Sequence, residues 1–305
     1  MTDLLDRRML FVVGKGGVGK TTVSAALALA AARRGKRVLV AMPNVQERLS
    51  HDFDVAPIGP EVVAVAPNID AVNMTPQSAL EEYGMMVLKV RALYNAIFGS
   101  KFVKAFLHGT PGIDAWAMLG KAFFHASPPS GEPAYDLVIF DAPATGHALD
   151  MLRVPFVIHD VAPPGLLRRE ADRAIELFCD PERAGVVLVT IPEDMPTNET
   201  LELRDALVDE LGLPIAALAI NRVLDAIFTE KERPVFAELR ERVGDASPLT
   251  SLAQAARVRV LREEVQQDSI DRLVGAIDAP RYDLPALFMA RSSRHGVETL
   301  SRRFD

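Results

Sequence analysis

Between an apolar run, Met9–Val13, and an Ala-rich stretch, Thr21–Arg34, lies Gly14-Lys15-Gly16-Gly17-Val18-Gly19-Lys20-Thr21-Thr22. No other segment restricts the fold so much. It fits G-x-x-x-x-G-K-[ST], a phosphate-binding loop that works only between a strand and a helix. Its glycines let backbone N–H groups turn inward around phosphate oxygens, and the following helix adds its positive end. Lys20 is then placed to neutralise β- and γ-phosphates, and the Thr21 hydroxyl to ligate Mg2+. Gly14, Lys15, Gly16, Gly17, Val18, Gly19, Lys20, Thr21 and Thr22 are therefore the candidate nucleotide-binding residues.

The rest of the chain supplies the sheet that such a loop needs. Arg37–Met42 and Val62–Ala66 read as strands, and Gly35 closes the first helix. Leu137–Asp141, Val186–Ile191 and Ile215–Asn221 are continuous apolar runs, as expected of strands buried on both faces. Helical stretches lie between them, for example Thr197–Leu211 before Gly212, and roughly Leu252–Ala276 precedes an edge strand at Ala279–Leu284. This alternation predicts an α/β fold of the P-loop NTPase kind, a mostly parallel sheet with helices on both faces. Residues 75–126 break the rhythm with two adjacent helices, which reads as a helical insertion within one domain spanning 1–305.

Phe140-Asp141 ends a strand and is followed by Ala142-Pro143-Ala144-Thr145-Gly146-His147. A strand-end acid can hold the nucleotide's metal through water, and the loop after it can sense the γ-phosphate. Asp141 joins Thr21 as a candidate Mg2+ residue.

Lys15, one residue after the first glycine, makes the deviant form K-G-G-x-G-K-T. With the Asp141–His147 segment, Pro111-Gly112-Ile113-Asp114, Ala79-Leu80-Glu81-Glu82-Tyr83, Ile191-Pro192-Glu193, Glu199-Thr200 and Asn221-Arg222, the series resembles one family over nearly the whole chain. That family is the ArsA-like deviant P-loop ATPases, which includes arsenite-pump and tail-anchored-protein targeting ATPases. The resemblance implies two facing subunits with ATP and Mg2+ at their interface, as a homodimer or as a heterodimer with a paralogous ATPase. It implies that Lys15 reaches the partner's nucleotide, that Glu193 and Asn221 contact nucleotide, and that the loop from Pro285 to Phe288 lies along adenine. A hydrophobic protein client or a membrane partner is implied as well.

The chain departs from its family at the first switch. Relatives carry D-P-A-H after the second strand. Matching Leu49-Ser50 to the family's L-S puts Asn44 at the position of that Asp. An amide can orient a water but cannot accept its proton. Asn44 is thus a catalytic candidate beside Lys15 and Lys20, and the expectation is slow hydrolysis, unless Glu47 or Asp52 takes the acid's place. A hydrolysis-poor subunit paired with an active paralogue stays open, as does a ParA/MinD-like positioning ATPase.

Composition narrows the partners. The net charge of −7, from 34 basic and 41 acidic side chains, argues against a nucleic-acid-coating protein. No apolar run reaches the roughly 18 residues of a membrane span, and the N-terminus lacks the features of a signal peptide. The one cysteine, Cys179, makes neither an internal disulfide nor a Cys-rich metal site. The expectation is a soluble cytoplasmic protein. Phe98, Phe102 and Phe106 share one helical face, with Met85, Met86, Trp116, Met118, Phe123 and Phe124 nearby. Core packing and a client groove are both open for them. Lys89, Arg91, Lys101, Lys104 and Lys121 read as a solvated basic face.

Overall fold

The computed structural model describes residues 2–88, 112–242, 249–288 and 293–305. Eight strands form one sheet: β1 Met9–Val13, β2 Val38–Pro43, β3 Val63–Ala66, β4 Ile69–Met74, β5 Leu137–Asp141, β6 Ala184–Thr190, β7 Ile215–Val223 and β8 Arg281–Pro285. Their order is β3-β4-β2-β5-β1-β6-β7-β8. All neighbours are parallel except the β3–β4 pair. Ten helices among the described residues follow in chain order: α1 Lys20–Arg33, α2 Leu49–Phe53, α3 Pro76–Leu88, α4 Ile113–Ala126, α5 Thr145–Val161, α6 Leu166–Phe178, α7 Asp194–Asp205, α8 Arg233–Arg242, α9 Thr250–Ala276 and α10 Ser293–Ser301.

Every residue of β1, β2, β5 and β6 is buried. The strand period of two divides them between two cores. Met9, Phe11, Val13, Phe140 and Leu188 face one layer, which is covered by α4, α5 and α6; Leu10, Val12, Ile139 and Val189 face the other, under α1, α2 and α10. Helix α1 presents Ala25, Ala26, Ala28, Ala30 and Ala31 fully buried. Small side chains let it lie close on the sheet, which seats the loop before it directly above β1. Because β5 and β6 flank β1, the loop sits centrally, outside the carboxyl ends of the parallel strands, where open α/β sheets bind ligands.

Strand β4 is absent from the sequence reading. Its interior carries Asp70 and Asn73, and a left-handed Asn68 (φ 62°) makes the tight turn from β3. The helix read as Thr197–Leu211 is α7 followed by a π-helical turn at Ala206–Glu210. Phe98, Phe102, Phe106, His108, Lys89, Arg91, Lys101 and Lys104 lie outside the described residues. Trp116 and Phe123 of α4 are core, 2% and 1% exposed, while Phe124 packs against it half-buried. Lys121 corrects the reading of a solvated face, for it is fully buried. Its Nζ pairs with Glu82 at 2.5 Å and donates to the Pro60 carbonyl at 3.3 Å, linking α4 to α3 and to the loop after α2. Among the described residues no helix is long and apolar enough to cross a membrane.

Candidate functional site

The phosphate loop is held open from outside by other strands. A Cβ on Gly14 would lie 2.1 Å from the Val189 carbonyl oxygen of β6, so no side chain fits there. Gly19, at φ 97°, would bring a Cβ within 2.3 Å of the Asn221 amide nitrogen. That close approach is used: Asn221 Nδ2 donates to the Val18 carbonyl at 2.8 Å, and Arg222, itself left-handed at φ 59°, donates from Nη2 to the Gly17 carbonyl at 3.0 Å. Two carbonyls of the loop are thereby fixed from the β7 end, leaving N–H groups for an anion. Arg222 is a loop brace that the sequence reading named only as part of a pattern.

Lys20 curls over the same loop and donates to the carbonyls of Gly14 and Lys15, at 3.1 and 3.2 Å. Burial lowers its pKa, and the negative charge of Asp141 opposes that shift. On the first turn of α1, Thr21 Oγ1 donates to Asp141 Oδ2 at 2.7 Å and Ser24 Oγ to Oδ1 at 3.1 Å. Asp141 is 2% exposed. Burial raises its pKa, while Thr21, Ser24 and Lys20 pull it back. Ser24, one turn after Thr21, was legible only as a helix residue, although its i+3 spacing puts it on the face of the strand-end acid. Thr21 and Asp141 are hard oxygen donors side by side, the set that suits Mg2+ bound through one hydroxyl and, via water, one carboxylate.

Beyond Gly19 and Thr22 opens a cleft of about 720 Å³. Glu193, Asn221 and Pro285 line it, so these three residues named from sequence come together. Val258, Leu261 and Val265 of α9, with Leu224 and Leu287, add apolar lining, as suits a flat heteroaromatic base. Gln266 secures that lining. Its amide exchanges hydrogen bonds with Leu224, accepting from N at 2.8 Å and donating to O at 3.0 Å. The helix read at roughly Leu252–Ala276 is α9, Thr250–Ala276; its contribution to the cleft is not visible from motifs, because it comes from apolar residues with no signature spacing.

Two predicted residues sit apart from this group. Lys15 Nζ lies 2.5 Å from Glu199 Oε1 of α7, in an ion pair about one-third exposed. Asn44 is exposed, left-handed at φ 50°, just after β2. Of the two acids near it, Glu47 is committed to backbone, accepting from Ser50 N at 2.7 Å and Ile58 N at 3.3 Å. Asp52 is buried, 8% exposed. Its pKa is pushed up to about 6, chiefly by burial, with Asp141 and Glu47 adding and Thr22 and His51 opposing. Elsewhere, burial drives the His125 imidazole down to about 4, with Lys121 adding, and His159 Nδ1 pairs with Asp172 at 2.5 Å. No group of three His, Cys, Asp or Glu side chains that could hold a metal occurs among the described residues.

A family model described as anion-transporting ATPase matches residues 7–162. A Halobacterium salinarum protein carrying the name of an arsenical pump-driving ATPase is 30% identical over 262 residues, 79% of this chain and 40% of that protein. ATPase BagA of Mycobacterium tuberculosis is 27% identical over 299 residues, 92% of this chain and 87% of that one. An ATPase ASNA1 homolog of Entamoeba dispar is 26% identical over 258 residues, 71% of this chain and 76% of its own length. The chain thus spans less than half of the halobacterial protein but most of the mycobacterial and amoebal ones.

Proposed function

That the chain belongs to the anion-transporting ATPase family is the premise from which we propose that it is a Mg2+-dependent, slowly hydrolysing ATP switch working as two facing subunits. Residues 1–305 serve as one ATPase unit, and the second subunit is another copy or a paralogue. The observation that carries this reading is the junction of Thr21 and Asp141 at the phosphate loop, continuous with the cleft bounded by Glu193, Asn221 and Pro285.

In this reading the loop N–H groups and Lys20 hold the β- and γ-phosphates. The Thr21 hydroxyl and, through water, the Asp141 carboxylate would hold Mg2+, which would supply positive charge beside the phosphate oxygens. The apolar face of α9 covers the base, and the second N–H and second lone pair of the Asn221 amide remain for its polar edge. Lys15 leaves Glu199 to reach the partner's nucleotide. An ion pair this exposed holds it by only about 0.2–1 kcal/mol, so dimer contacts can draw it away.

The hydrophobic client rests on the family likeness, since Trp116 and Phe123 of α4 are committed to the core. The relatives' names refer to arsenical pump driving, and a role in anion handling is proposed on that footing alone.

Slow turnover follows from residue 44. Positioned general-base help is worth about 10²- to 10⁴-fold, and an amide supplies none of the proton acceptance. Asn44→Asp is expected to accelerate single-turnover phosphate release by about tenfold or more. Rapid release by the wild-type protein, unchanged by Asn44→Asp, would show that another residue positions the water.

A further inference from the structure

The sheet holds the chain after β7 only as far as Val223, which pairs with Pro285 of β8 and whose carbonyl accepts from Ala286 N at 2.8 Å. From Leu224 to Ile227 the backbone runs outside any strand, and side chains of α9 take over its hydrogen bonds. Gln266 meets both backbone groups of Leu224, and Glu263 Oε1 accepts from Ile227 N at 3.1 Å. Arg259 Nη2 donates to the Asp225 carbonyl. Arg259, Glu263 and Gln266 stand at i, i+4 and i+7, on one face of the helix. The three act as a set. Arg259 Nε donates to Glu263 Oε1 at 2.8 Å, and Arg233, at the start of α8, brings Nη2 to 3.5 Å from Oε2. Glu263 is 3% exposed, and a carboxylate is kept in such burial only by paired charges and donors.

A different face of α9 lines the cleft. Val258, Leu261 and Val265 stand there at i, i+3 and i+7, with exposures of 39%, 47% and 41%. Leu224 lines the same cleft, so the ladder from Arg259 to Gln266 fixes both the helix and the segment that supply the apolar lining. The phosphate loop is held by other means, since Asn221 and Arg222 reach Val18 and Gly17 from within β7 itself. Val223 thus marks a division: the sheet fixes what holds phosphate, and α9 fixes what meets the base. Resting on the nucleotide reading above, we infer that Gln266 and Glu263 are positioning residues for the nucleoside half of the ligand. They act through Leu224 and the apolar face of α9, which they hold ready before the base arrives, and they leave the phosphate site unchanged.

ADP and inorganic pyrophosphate, each with Mg2+, separate the two halves in titration calorimetry. Gln266→Leu keeps the side-chain volume and loses both bonds to Leu224. It is expected to bind ADP about 5- to 20-fold more weakly, with pyrophosphate affinity within about twofold of wild type. Glu263→Gln keeps an acceptor for Ile227 N but loses the charge that faces Arg259 and Arg233. The same split is expected of it, and it serves if the Leu variant folds poorly. Equal weakening of both ligands would overturn the inference, because general loosening reaches the phosphate loop as well. Unchanged ADP affinity in a folded variant would overturn it too. Wild-type protein that binds pyrophosphate as tightly as ADP would leave the phosphate loop standing and remove the inference, for the cleft would then give the nucleoside nothing. Wild-type protein that takes up neither ligand overturns the nucleotide reading and this inference together.

Discussion

Lys20→Ala is expected to weaken ADP binding by about 10- to 100-fold in titration calorimetry. A hydrogen bond to a charged group is worth about 1.5–3 kcal/mol, and shielding from water at this site preserves it. Lys20 already donates to the Gly14 and Lys15 carbonyls, which holds its ammonium at the turn of the loop. Bound phosphate replaces those neutral acceptors with charged ones, and charge-assisted bonds are about twice as strong. The loop shape should survive the substitution, because Asn221 and Arg222 hold Val18 and Gly17 from the β7 side. The melting temperature is therefore expected to change little. ADP affinity that is unchanged in Lys20→Ala would remove the loop from the binding site.

The second large effect falls on stability. Phe123→Ala is expected to cost about 3–5 kcal/mol, read as a lower denaturation midpoint at an unchanged slope. The Phe123 ring is 1% exposed, its centroid lies 5.9 Å from that of Phe178 at right angles, and the Arg173 guanidinium stands 5.3 Å over its face. Truncation would open a void between α4 and α6 that a packed interior refills poorly. A groove residue makes the opposite demand: surface substitutions stay within about 0.5 kcal/mol. Near-wild-type stability in Phe123→Ala would return α4 to consideration as a binding face.

Local chemistry explains what was legible. The glycines and Lys20 announce their task because consecutive N–H groups must converge, and β1, β5 and β6 show as unbroken apolar runs because both faces are covered. What escaped depends on distant partners. Strand β4 hides because Asp70 accepts from the Tyr135 hydroxyl at 2.8 Å and Asn73 serves the switch segment, so its polar positions have structural partners elsewhere. Lys121 looks solvated until Glu82 and Pro60 are brought to it. The Lys15–Glu199 pair joins residues 184 apart, a contact no local spacing encodes. Asp52 was visible as one of two substitutes for the missing switch acid; the backbone bonds that occupy both Glu47 oxygens distinguish the two.

The central claim, a switch in which nucleotide state governs the pairing of two subunits, is tested most directly by sedimentation velocity. The wild-type chain is run with Mg2+ and either ADP or a non-hydrolysable ATP analogue, alone and mixed with a paralogue. The account predicts a shift from monomer to dimer with the ATP analogue and not with ADP, and loss of that shift in Lys15→Ala. The same sedimentation coefficient in both nucleotides, in every mixture, would contradict it.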